Sequence, residues 1–339
     1  MAEVSTADFL LASRGRAEEL GAWVVAAVWD SGNRLAFALG DGTLRLAAME
    51  GDWRSVAAHE GAVLSACADA KDGFLSGGDD GLLVRTAPDG GTQTVADYKG
   101  KWVDHVAAHE AGLRAAAVGK AVHVHGPQGP LKTLTHISSV GGIAFDAKGK
   151  RIAASHYNGA SLWFVAAKED KPRSLEWKGS HHAIAFSPDG THVVTAMQEP
   201  SLHGWRLADG QHMRMSGYPS KTRSLAFTAK GRWLATSGAE SVVLWPFFGG
   251  GPMGKAPTEI AGGDAVLCSA VACHPQHEVV AAGFGDGLVL LAEIGSGKVV
   301  PVAPPSGSAV SALAWSPNGA GLAFGTEAGH AGLVDLARR

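Results

Sequence analysis

The sequence predicts an all-β protein assembled from small antiparallel sheets that repeat along the chain. Three observations predict it. Apolar and polar residues alternate over short runs, turn residues such as Asp-Gly and Asn-Gly separate the runs, and the pattern recurs about every forty residues. The clearest stretch is Ile184–Gly210, IAFSPDGTHVVTAMQEPSLHGWRLADG. Ile184 and Phe186 alternate with small residues, and Pro188-Asp189-Gly190 turns the chain. His192–Ala196 alternates again, Glu199-Pro200-Ser201 breaks the run, and Leu202–Leu207 follows. Alternation bounded by turn residues reads as short antiparallel strands. Three such strands cannot bury both faces alone, so the unit must lean on copies of itself.

The repeat is set by the residue equivalent to Phe186. Its counterparts are Trp29, Ala68, Ala108, Phe145, Phe227, Cys273 and Trp315, and the successive spacings are 39, 40, 37, 41, 41, 46 and 42. The strongest copies read AFDAKG (144–149), AFSPDG (185–190), AFTAKG (226–231), ACHPQH (272–277) and AWSPNG (314–319). An apolar residue, as at Val24, Val63, Val103, Val140 and Val310, stands five positions upstream of most anchors. Second strands follow, from Leu35–Leu39 in the first unit to Leu322–Gly325 in the eighth. They end in turns such as Asp41-Gly42, Asp80-Gly81, Asn158-Gly159 and Asp286-Gly287. Such dipeptides favour the primed turns that match strand twist. Third strands such as Leu44–Leu46 and Val242–Trp245, and weaker fourth strands such as Trp53–Ala58 and Ser174–Trp177, complete each unit.

A period near forty with four strands per unit resembles the WD40 repeat. The signature residues are eroded. Trp163 and Trp245 hold the Trp place without the Asp, Val334-Asp335 keeps the Asp without the Trp, and Gly-His survives as Ala58-His59. The turn Asp is kept at Asp41, Asp80 and Asp286. The resemblance covers residues 20–339. It implies a β-propeller of four-stranded antiparallel blades, eight by the repeat count with seven as the alternative. It also implies a hydrogen-bonded set within a blade, for which His59, Ser76 and Asp80 are the best candidates, leaving apolar packing between blades as the main source of stability.

The eighth unit ends after its third strand at Leu336. Its fourth strand is expected from residues 1–22, with a segment between Phe9 and Leu20 docking beside Gly332–Leu336 and closing the ring. A closed ring has no free sheet edges. The competing expectation is an amphipathic helix over Ala7–Leu20. The domain reading is thus a closing segment, 1–22, and a propeller, 23–339, forming one domain.

Composition excludes several classes. Net charge is −3 without a block of like charges, so no nucleic-acid footprint or polybasic membrane patch is expected. The three cysteines, Cys67, Cys268 and Cys273, are too few and odd for a disulfide framework. With no apolar run long enough to span a bilayer and no secretory signal pattern, a cytoplasmic protein is expected.

Fifteen histidines prompt a search for metal ligands. Cys268 and Cys273 lie five apart on one strand and face opposite ways, so with His274 and His277 they make a poor site. His123 and His125 share a strand face and form the weak alternative, a metal-binding or metal-responsive propeller. No nucleophile elbow, P-loop or zinc-protease helix is present. No catalytic residue and no cofactor are assigned, and a central-channel enzyme stands as a less favoured reading. The expected function is a scaffold for protein or peptide partners. Its contacts are placed at rim positions: Trp23, Trp102, Asp104, Tyr157, His182, Arg223 and Phe284. The loop 246–257, PFFGGGPMGKAP, is expected to join two strands of the sixth blade, with Phe247 and Phe248 either folded back or presented to a partner.

Overall fold

The computed structural model describes residues 9–262 and 265–337. The expected closing segment therefore lies partly outside the described residues, at positions 1–8. Apart from one short helix, Leu10–Arg14, the described chain is built of β-strands. They form seven antiparallel sheets: six have four strands and one has six. The sheets are arranged as a β-propeller.

Each four-stranded sheet follows the order of the chain. The first is Val24–Trp29, Leu35–Leu39, Thr43–Ala47 and Arg54–Ala57, from axis to periphery. Inner strands of neighbouring sheets touch one another, and Val24–Trp29 lies between Val63–Ala68 and Val310–Trp315. Second strands are buried along most of their length, and throughout in Leu35–Leu39, His192–Met197 and Gly321–Thr326. Neighbouring blades cover both faces there, so apolar residues run on without alternating. Alternation survives at the periphery, where His212–Ser216 is exposed and buried by turns.

The last sheet has strands Val310–Trp315, Gly321–Thr326 and His330–Asp335, and its outer strand is Gly15–Glu19. The register pairs Gly15 with Val334, Ala17 with Gly332 and Glu19 with His330. Glycine at 332 is required: a Cβ there would lie 2.2 Å from the Phe324 ring. Leu10 and Leu11 of the short helix pack against the cluster of Leu322, Phe324 and Val334. Of the region read alternatively as a helix over Ala7–Leu20, the described part is helical at Leu10–Arg14 and then extended over Gly15–Glu19. Another cluster joins Phe37 and Leu39 of the first sheet to Ala323 and Leu333 of the last.

Counted as hydrogen-bonded sheets, the propeller has seven blades, where the repeat spacing favours eight. The large sheet explains the difference. Its strand Arg173–Phe186 runs unbroken from the fourth repeat unit into the fifth. Ser180 pairs with Tyr157 on one side, and the adjacent His181 pairs with Met197 on the other.

The loop after Ser241–Pro246 leads to Thr258–Gly262 of the same sheet. Phe247 folds back and is buried, meeting Phe227 edge-on at 4.9 Å. Phe248 stays exposed, with Lys255 Nζ 4.8 Å from its ring centre.

Candidate partner-binding face and central cavity

Strand direction alternates across each blade. Loops entering an inner strand and turns joining second to third strands therefore emerge on one edge of the ring, here called the entry edge. Trp23 and Trp102 immediately precede the buried Val24 and Val103, and they are 53% and 60% exposed. Tyr157, in the turn of the fourth repeat unit, is 56% exposed. Its backbone N–H donates to Ser138 Oγ at 3.1 Å, which sets it beside the loop carrying Ile137. Ile137, 79% exposed, escaped the sequence reading because single loop residues carry no pattern. Asp104 sits on the same edge, half-buried, with its N–H bonded to Ala117 O.

Two expected rim residues serve the fold instead. Phe284 is 2% exposed and packs against Cys268, Val271 and Val280. It ends the strand Val279–Phe284 and pairs with Cys268, so it presents nothing to a partner. His182 Nε2 donates to Thr222 O of the next blade at 3.2 Å, and burial first of all pushes its ring below the usual histidine range.

His182 belongs to a series of bonds around the axis. Ser224 Oγ donates to Val271 O and accepts from Val271 N, Ser269 Oγ donates to Val310 O at 2.7 Å, and Ser311 Oγ donates to Val24 O at 2.7 Å. The chain bulges at this position: register shifts occur at Cys268/Ala270 and Val310/Ala312. The extra residue turns its hydroxyl toward the neighbouring blade. A second series uses the repeat anchors. Trp29 Nε1 donates to Ala314 O, Trp315 Nε1 to Ala272 O, and Cys273 Sγ to Ala226 O. Each acceptor is the residue just before the anchor of the preceding blade.

Within blades, the expected polar set is present. His59 Nδ1 donates to the Asp80 carboxylate at 3.0 Å, and its Nε2 meets Ser76 Oγ at 2.9 Å. Burial alone would raise Asp80, but hydrogen bonds from the Leu82 N–H and His59 outweigh it and hold the carboxyl below the usual range. The Trp place of this blade is Thr86. A variant set was not foreseen: Trp245 Nε1 donates to Tyr218 OH at 2.6 Å, and Tyr218 OH meets Thr236 Oγ1 at 2.7 Å. Tyrosine stands there where the repeat would carry histidine, so the motif search passed over it.

The histidines on one strand face, His123 and His125, both meet Tyr98. The His123 ring packs on it at 4.6 Å, and His125 Nε2 bonds its hydroxyl at 2.9 Å. In the other cluster, His274 Nδ1 accepts the N–H groups of Gln276 and His277, which makes it a turn staple. Among the described residues, no group of three or more His, Cys, Asp or Glu side chains converges as a metal site. Burial pushes all three thiols up to about 12. No described helix is long and apolar enough to cross a membrane.

Around the axis lies a cavity of about 800 Å³, walled by small residues such as Ala27, Ala270 and Ala312. Trp23, Asp41, Arg223 and Glu327 line it as well. Arg223 Nη1 reaches Glu327 Oε1 at 3.5 Å, linking two blades that are not neighbours.

No protein-family model matches the chain. It is 26% identical over 189 residues to telomerase protein component 1 of Mus musculus, an alignment covering 53% of this chain and 7% of that protein. The chain therefore corresponds to a small part of that relative. Among solved structures, it resembles the computationally designed Ika8 protein at a TM-score of 0.76 and 18% identity, with 94% of this chain and 98% of the other covered. It also resembles a chain of the Mitotic Checkpoint Complex at a TM-score of 0.65 and 14% identity, covering 99% and 98%. These likenesses agree with the propeller architecture.

Proposed function

We propose that this chain is a non-catalytic, WD40-type scaffold that binds protein or peptide partners on its entry edge. One observation carries the reading: Trp23, Trp102, Ile137 and Tyr157, four large apolar side chains at least half exposed, all lie on that edge. Exposed aromatic residues grouped on one surface mark interaction sites and supply interface anchors. The central cavity supports a binding role over a reactive one. Its serines 224, 269 and 311 are spent on bonds between blades. The likeness to a chain of a multi-protein complex is consistent with this reading.

The test is recovery of partners from a native lysate with wild-type protein and with a Trp102→Ala/Tyr157→Ala variant of unchanged melting temperature. Loss of specific partners with the variant supports the reading. Equal recovery rejects this edge.

We also infer that the large sheet is two repeat units run together, giving eight units in seven sheets. Val165 N donates to Lys150 O at 2.9 Å, which supports a hairpin within Arg151–Phe164. Asn158 and Gly159, with φ of 68° and 133°, supply its turn. An experimental map with seven inner strands around the axis would reject this inference. Residues 1–22 then belong with 23–339 as one domain.

A further inference from the structure

The central cavity permits a narrower statement about the partner, one that rests on the scaffold reading. Three serines among its lining hydroxyls bond to neighbouring blades. Among the described lining residues, the charged side chains are Asp41, Arg223 and Glu327. Two carboxylates face one guanidinium, so the cavity carries an uncompensated negative charge.

The turns that carry the two carboxylates flank Trp23, and all three residues line the cavity. Gly40, next to Asp41, donates its N–H to Trp23 O at 2.9 Å. The turn Glu327–Gly329 lies against the residues before Trp23, since a Cβ on Gly329 would come 2.8 Å from Ala22 O. Trp23 thus stands between the turns that carry Asp41 and Glu327. A cation over an indole with carboxylates beside it is attracted by both. Arg223 approaches from across the cavity, and its contact with Glu327 is long and exposed, with 62% and 39% of the side chains accessible. Exposed pairs of this kind contribute little, so a competing cation displaces them at small cost. The pair spans non-neighbouring blades and is not required for blade packing.

We propose that the Asp41–Trp23–Glu327 side of the central cavity binds a lysine or arginine side chain of a partner peptide, and that Arg223 occupies this place when no partner is bound. The partner segment is basic, and Arg223 acts as an internal competitor.

Short capped peptides on an alanine–serine background, with a central arginine, lysine, norleucine or glutamate, test this by fluorescence polarisation at low and physiological salt. Arginine and lysine peptides bind more tightly than norleucine, and the preference shrinks as salt rises. Glu327→Gln and Asp41→Asn each weaken the cationic peptides about fivefold, whereas Arg223→Gln strengthens them about two- to fivefold. Preference for the glutamate peptide, weakening by Arg223→Gln, or no binding by any peptide overturns the proposal. Arg223→Gln removes an exposed side chain, so this arm does not depend on variants that perturb the fold. If the proposal fails while Trp102→Ala/Tyr157→Ala still abolishes partner recovery, the scaffold reading stands without it.

Discussion

The Trp29 indole donates a hydrogen bond to the carbonyl of Ala314, 285 positions later in the chain, at 3.2 Å. It joins the first blade to the last. The same bond recurs from Trp315 to Ala272 at 3.0 Å, so it is a property of the repeat position. Trp29→Phe keeps an aromatic ring against Gly321 but removes the bond to the Ala314 carbonyl that ties the first blade to the last. The expected cost is about 1–2 kcal/mol in urea unfolding. Trp315→Phe should cost about the same, and two silent substitutions would remove the anchor series as a stabilising feature.

The His59–Ser76–Asp80 set makes a pH-dependent contribution. Asp80 has its folded pKa lowered, so its stabilisation is full above the unfolded carboxyl value, 3.8, and is lost as pH falls through the lower folded value. His59→Ala should cost about 2–3 kcal/mol near neutrality, because a part-buried carboxylate and a buried hydroxyl lose a partner. Asp80→Asn should flatten the acid limb of stability against pH. An unchanged acid limb would contradict the assignment.

Two buried histidines act in the opposite sense to a salt-bridged one. His203 stacks on Trp177 at 4.0 Å, and burial pushes its pKa down to about 3; His136 lies edge-on to Trp163 at 4.6 Å and is pushed down to about 4. None of the four ring nitrogens has a hydrogen-bond partner. The unfolded chain takes up protons near 6.5, so each ring destabilises the fold as pH falls from there toward its folded value. The slope approaches about 1.4 kcal/mol per pH unit for each histidine. His203→Phe should lessen the loss between about pH 6.5 and 4, read from denaturant midpoints. An equal loss in the variant would refute this source.

Phe284 and Trp102 should separate stability from binding. Phe284→Ala removes a fully packed ring and should cost about 3–5 kcal/mol without changing affinity per folded molecule. Trp102→Ala should leave the melting temperature nearly unchanged, within about 0.5 kcal/mol, while reducing partner recovery. The reverse pattern would exchange their roles.

The repeat phase was legible because the inner strands carry their anchors at a near-constant spacing, most of them with an apolar residue five positions upstream. The polar set at His59 was legible because its three residues keep their places. Sheet count was less legible: Lys178-Gly179-Ser180 reads as a break between units, and Gly179 does turn there at φ 106°, yet Ser180 and His181 pair at once with strands on opposite sides, so one strand carries both sheets. Phe284 misled because it stands beside a Gly-Asp-Gly turn, and sequence does not show that the preceding blade, through Ala235, Val242 and Leu244, covers it. The bonds from Ser269, Ser311 and Trp29 were invisible for a similar reason. Each reaches a residue more than forty positions away, and the bulge that aims the serines leaves no mark in composition.

The central claim is that the first described residues form the outer strand of the last blade and hold the ring together. Glu19 and His330 face each other across that pairing, with His330 Nδ1 and Glu19 Oε1 2.6 Å apart. A Glu19→Cys/His330→Cys protein tests it directly, since the native thiols are buried and poorly ionised. The account predicts that a disulfide forms under mild oxidation without loss of fold, and that the melting temperature rises and returns on reduction. Failure of the two cysteines to couple in folded protein, or coupling that leaves the melting temperature unmoved, would contradict it.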